Sequence, residues 1–141
     1  MSHVSIMNLE INSLDALKMT VERLGIVFRK NQKTYKWYGR FMGDYPLPEG
    51  FTVADLGKCN HALYVPGAKY EIGVVERNGK ISLLWDFWQD GGLERIIGPG
   101  GAKIRQLYPI EEAKLEAERR GYFYTEVCQE NGDIDLEIEV N

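Results

Sequence analysis

The sequence predicts an α+β fold: a mostly antiparallel sheet carrying two main helices in a single domain of 141 residues. Three observations predict it. Leu14, Leu17, Val21 and Leu24 recur at three- and four-residue spacing, the period of an amphipathic helix, and a second helical stretch precedes Gly121. Two apolar runs flank Asn78-Gly79, the strongest short hairpin signal a sequence offers. Near the end of the chain, Ile134, Leu136, Ile138 and Val140 alternate with acids, as on a strand with one covered face.

Taken in order, residues 4–11 alternate imperfectly, with Asn8 intruding, and predict a first strand. Asn12 or Ser13 caps the helix that follows, and Gly25 stops it. Residues 26–30 and 34–42 read as two strands about a polar turn. Residues 43–60 form a long connection with Pro46, Pro48, Gly50 and Gly57, a length usually reserved for binding or function, and Thr52 starts one helical turn in it. Residues 61–65 make a short strand closed by Pro66-Gly67, and residues 69–76 and 80–88 form the Asn-Gly hairpin. Residues 91–121 are helical except at a glycine loop and at Pro109, with 110–120 the stronger half. Residues 122–127 and 134–140 close the chain as a second hairpin.

Composition narrows the function classes. With 44% hydrophobic and 27% charged residues the chain has a globular balance, and no stretch approaches the ~20 apolar residues that cross a bilayer, so no membrane association is expected. The opening MSHVSIMNLEI lacks the basic and apolar regions of a signal peptide, and two cysteines do not make a disulfide scaffold; the expected location is cytoplasmic. The net charge of −4 argues against wholesale nucleic-acid binding, but the charge is polarised. Residues 28–41 carry Arg29, Lys30, Lys33, Lys36 and Arg40 and no acid, whereas residues 122–141 carry only acids.

The opening Met-Ser-His and its strand, the helix LDALKMTVERLG, the segment LLWDFWQ and the closing QENGDIDLEIEV together resemble an uncharacterised family, the hypothetical chloroplast reading frame 35 proteins of plastids and cyanobacteria, with short phage members. The stretch KTYKWYGRFMGDYPLPEGFTVADLGKCNHALYVPG is similar to the phage or bacterial variant. The resemblance implies one domain and brings no activity or catalytic residue with it.

Two segments point to a ligand. In IIGPGGAKIR, residues 96–105, Gly98, Gly100 and Gly101 permit close backbone approach, the next helix offers its N-terminus, and Lys103 and Arg105 follow one turn on; these parts suit a phosphate. The segment is similar to the glycine loop of K-homology RNA-binding domains, which implies a clamp on a short stretch of nucleic-acid backbone. The same residues also read as a kinked helix packing Ile96, Ile97 and Ile104. In FRKNQKTYKWYGRF, five cations interleave with Phe28, Tyr35, Trp37, Tyr38 and Phe41, the ingredients for gripping phosphates and bases. As a strand, it turns Tyr35, Trp37, Gly39 and Phe41 to one face and Lys36, Tyr38, Arg40 and Met42 to the other.

Weaker constellations complete the reading. Cys59 and His61 are too few for zinc but could pair as nucleophile and base, and Asp86, set between Trp85 and Phe87, could serve as a general acid or base. The reading these residues support is a non-catalytic binding module for a phosphate-bearing ligand, a nucleotide or short single-stranded nucleic acid. Its contacts are expected at Gly98, Gly100, Gly101, Lys103, Arg105, Lys33, Lys36, Trp37 and Arg40, with Tyr45 and Phe51 of residues 43–60 as a ligand or partner lid. No catalytic residue, metal or cofactor is expected. The first alternative is a phage-type accessory protein that docks a host protein through residues 43–60, with Tyr45 and Phe51 as exposed anchors. The second is a small enzyme using Asp86 or the Cys59/His61 pair.

Overall fold

The computed structural model describes residues 2–140 and shows an α+β architecture. Strands β1 (Val4–Ile6), β2 (Val27–Arg29), β3 (His61–Tyr64), β4 (Ile72–Arg77) and β5 (Lys80–Asp86) form an antiparallel sheet in the order β1-β5-β4-β3-β2. Helices α1 (Leu14–Arg23), α2 (Leu93–Ile97) and α3 (Ala102–Arg119) pack on one face. Strands β6 (Phe123–Cys128) and β7 (Ile134–Glu139) make a separate two-stranded ribbon.

Side-chain alternation explains why the sheet has two covered faces. Leu63, Ile72, Val74, Leu83 and Trp85 point to the helices and meet Leu17, Val21, Leu93, Ile97, Ile104 and Tyr108. Val4, Ala62, Val75 and Leu84 point the other way, where Tyr35, Leu56, Trp37, Phe41, Leu47 and Phe51 cover them. Residues 30–58 therefore act as a strap across the face that lacks helices. The β4–β5 turn carries Asn78 at φ 52 and Gly79 at φ 74, the left-handed pair that a tight hairpin requires.

Helix α1 is capped by Ser13, whose hydroxyl accepts from the Ala16 N–H at 3.1 Å. The Tyr108 hydroxyl accepts from the N–H groups of Asn12 (2.9 Å) and Ser13 (3.0 Å) and donates to Glu112 (2.7 Å), so the start of α1 is tied to the middle of α3.

Three expectations are corrected. The first strand stops at Ile6: Met7 still donates to Leu83, but the Leu9 N–H turns back to the Met7 carbonyl at 2.8 Å, a γ-turn centred on Asn8, and Ile11 rejoins through a single bridge to Ile81. Residues 34–42 are not a strand. They make one bridge, Thr34 to Lys58, after which the Lys36 and Tyr38 N–H groups go to side-chain carboxylates instead of a neighbouring strand. Finally, α3 runs through Pro109. The carbonyl that its missing N–H would engage belongs to Arg105, and both residues are exposed, which leaves that carbonyl to solvent.

The ribbon is attached to the helices by a charged cluster. Arg23 of α1 contacts Glu126 of β6 at 2.7 Å and Glu111 of α3 at 3.0 Å, while Lys114 contacts Glu126 at 2.7 Å and Glu111 at 3.4 Å. Hydrogen bonds from Arg23 and then Lys114 hold the Glu126 carboxyl down at about 2, from an ordinary 4.5. A carboxylate depressed on folding stabilises the protein above its unfolded value, and that contribution fades as pH falls from 4.5 towards 2. Melting temperature is expected to drop across this window, and Glu126→Gln is expected to flatten the drop; an unchanged acid limb in the variant would exclude this cluster as its cause.

Candidate functional site

The glycine loop is built by its φ angles. Gly98, Gly100 and Gly101 stand at φ +89, +63 and +77, the left-handed region in which side chains are strained. A Cβ on buried Gly101 would lie 2.5 Å from the Met7 sulfur, so this glycine is also a close-packing residue. The loop amides are already engaged. Gly98 donates to the Glu94 carbonyl at 2.9 Å, Gly101 to the Gly98 carbonyl at 3.0 Å, and Gly100 to the Glu94 carboxylate at 3.2 Å. Glu94 thus supplies from within the anion that the loop was expected to take from outside. Lys103 and Arg105 are exposed beside it, and Ile97 and Ile104 are buried in the helix-side core, as the kinked-helix alternative has it.

The basic segment lies elsewhere. Gly101 packs on Met7, a member of the helix-side core, whereas Tyr35, Trp37 and Phe41 belong to the opposite face, so the whole sheet separates the two segments. The structure does not bring them to one ligand.

The strap is held by two buried carboxylates. Glu71, 3% exposed, accepts from the Lys36 N–H at 3.0 Å and from the Gln32 side chain at 3.1 Å, with Arg29 at 3.7 Å. Asp86, 0% exposed, accepts from Tyr38 on one oxygen at 3.0 Å and from His3 (3.0 Å) and Trp88 (3.1 Å) on the other. Every one of those last three donors is a backbone N–H. Asp86 is therefore a structural clamp on the residue before β1, the strap and the segment after β5, which corrects its reading as a general acid or base.

With its backbone fixed from below, the strap alternates as its sequence indicates even though it is no strand. Tyr35 is buried and Trp37 half-buried against Gly57, while Lys36, Tyr38, Arg40 and Met42 are exposed. Tyr35 lies over Gly73, where any side chain would strike its ring; its hydroxyl has no hydrogen-bond partner among the described residues, and burial pushes its phenol up to about 12. Trp37 is thus mainly a packing residue. Lys30, Lys33, Lys36 and Lys58 are exposed and make no ion pair among the described residues. Lys58 joins the patch through the Thr34 bridge, a pairing no local pattern announces.

The Cys59/His61 pairing is also corrected. Cys59 packs with the strap-side cluster and donates to the Gln32 carbonyl at 3.2 Å, and burial raises its thiol to about 11. His61 stands opposite Val74 on the helix side, stacks on Phe28 at 5.3 Å, and uses Nδ1 to accept from the Asn31 N–H at 2.9 Å. Neither is free to act on the other. No group of three or more potential metal ligands occurs among the described residues.

Residues 43–60 do not project as a free docking loop. Leu47, Leu56 and Phe51 pack on the sheet, and the Arg77 guanidinium sits 4.0 Å over the Phe51 ring. Tyr45 keeps 36% exposure but meets Phe87 edge-on at 4.9 Å and His3 at 5.4 Å. No described helix is long and apolar enough to cross a membrane. Compared with known proteins, the chain matches no family model, no curated protein and no solved structure.

Proposed function

We propose that the protein is a non-catalytic binding module for a phosphate-bearing ligand, a nucleotide or short single-stranded nucleic acid, and that the ligand lies on the outer surface of the strap. The observation that carries this reading is the placement of charge. Lys30, Lys33, Lys36, Arg40 and Lys58 face solvent, while Glu71 and Asp86, the carboxylates that hold the strap's backbone, are buried and already hydrogen-bonded. Residues 28–41 thus carry five cations and no acid on a protein of net charge −4. The glycine loop contributes less to the proposal than its sequence promises, since Glu94 occupies it.

Binding of a fluorescent ten-nucleotide oligothymidylate is expected to weaken steeply with added salt, as counterions released from the strand are lost as a driving force. Lys33→Glu with Lys36→Glu is expected to reduce affinity at least tenfold at low salt and to lower the salt slope, with the melting temperature nearly unchanged because both side chains are exposed. Binding indifferent to salt, or unaffected by the double substitution, overturns the reading.

A further inference from the structure

The three N–H groups on Asp86 belong to His3, Tyr38 and Trp88, each carrying an aromatic ring, so one buried carboxylate fixes the roots of three rings drawn from distant parts of the chain. Around them the rings continue. His3 meets Trp88 edge-on at 5.0 Å and Phe87 at 5.2 Å, and Tyr45 leans on both His3 and Phe87. Tyr38 and Tyr45 retain 38% and 36% exposure, and Trp88 and Phe87 are half-buried. This aromatic surface continues directly from the cationic strap, because Tyr38 sits between Lys36 and Arg40. The carboxylates beside it are Asp44, which pairs with His3 at 3.1 Å, and exposed Asp90.

We infer that this surface stacks the bases of a single-stranded nucleic acid whose phosphates run along the strap. The inference rests on the strap being a phosphate surface and adds which ligand it takes. Flat rings rooted in a buried clamp lose little freedom on binding, and any base offers them a face, so recognition is tolerant of sequence. A duplex keeps its base faces stacked inside and offers these rings none to stack on. Tyr38 and Trp88 supply the contact, with Tyr45 at the rim.

The test compares oligothymidylate with an abasic phosphodiester strand of equal length and with a duplex, for the wild type and for Tyr38→Leu and Trp88→Leu, neither of which removes the backbone donor to Asp86. Oligothymidylate is expected to bind about 10- to 100-fold more tightly than the abasic strand. Each leucine variant is expected to lose most of that difference while its affinity for the abasic strand is unchanged, a comparison that also controls for folding. If abasic and base-bearing strands bind equally, stacking is overturned and the phosphate reading stands. If none of the three binds, both fall.

Discussion

Replacing Asp86 with alanine is expected to destabilise the protein by about 3–5 kcal/mol, because it strips the acceptor from three backbone N–H groups at once and each buried donor left unpaired costs about 1–3 kcal/mol. The effect spreads beyond one strand. His3, Tyr38 and Trp88 lose their common anchor, so the start of β1, the strap and the chain after β5 loosen together. Asp86→Asn keeps one acceptor oxygen but turns an NH2 group towards an N–H donor, and a loss of about 2 kcal/mol is expected. Denaturant unfolding measures both; a loss below about 1 kcal/mol for the alanine variant would show that the strap does not depend on this clamp.

The glycine loop gives the second large effect. Gly101→Ala places a methyl 2.5 Å from the Met7 sulfur on a backbone at φ +77. Overpacking of about 1–3 kcal/mol adds to left-handed strain of about 1–2 kcal/mol. Gly100→Ala meets only the mobile tip of Arg105, at 3.3 Å, and is expected to cost the strain alone, about 1–2 kcal/mol. The ordering of the two melting temperatures is the check. Equal losses would mean that Gly101 is needed for its conformation and not for its contact with Met7.

That pair of glycines also shows how far the sequence is legible. Local patterns announce local structure: the Ser13 cap and the period of α1 and the Asn78-Gly79 turn are recovered, whereas β7 forms as expected but its apolar face is covered only at Ile134 and Leu136, with Ile138 and Val140 exposed. Residues 34–42 mislead because alternation records which side is covered, not what covers it; Tyr35 and Trp37 do turn inward, but their backbone is held by carboxylates and not by a strand. Glu71 and Asp86 could not be recognised as clamps, since of their backbone N–H donors only Trp88 is local, two positions on, while the others lie 35, 48 and 83 positions away and no periodic pattern encodes such a pairing. The glycine loop shows the converse failure. Its residues are visible, but Glu94 four positions before Gly98 looks like an ordinary solvated helix acid until its carboxylate is seen on the Gly100 N–H. Of the expected site residues, the strap's cations are exposed; Tyr38 and Tyr45 are visible in the sequence as candidates, but their gathering with His3 and Trp88 is not, because these residues are scattered along the chain.

The pairing of β1 with β5 sets a timetable for the nascent chain. Ile6 pairs with Leu84, and the His3 N–H waits for Asp86. At ribosomal rates of about 5–20 residues per second, the roughly 80 intervening residues delay that closure by about 4–16 s after β1 is made. Until then Val4 and Met7 have no strand to join, and the strap has only one of its two clamps, Glu71. Strand β1 is made before the rest of its sheet yet is among the last to find its place, so a ribosome stalled before residue 86 holds a sheet whose β1 edge is still open and sticky.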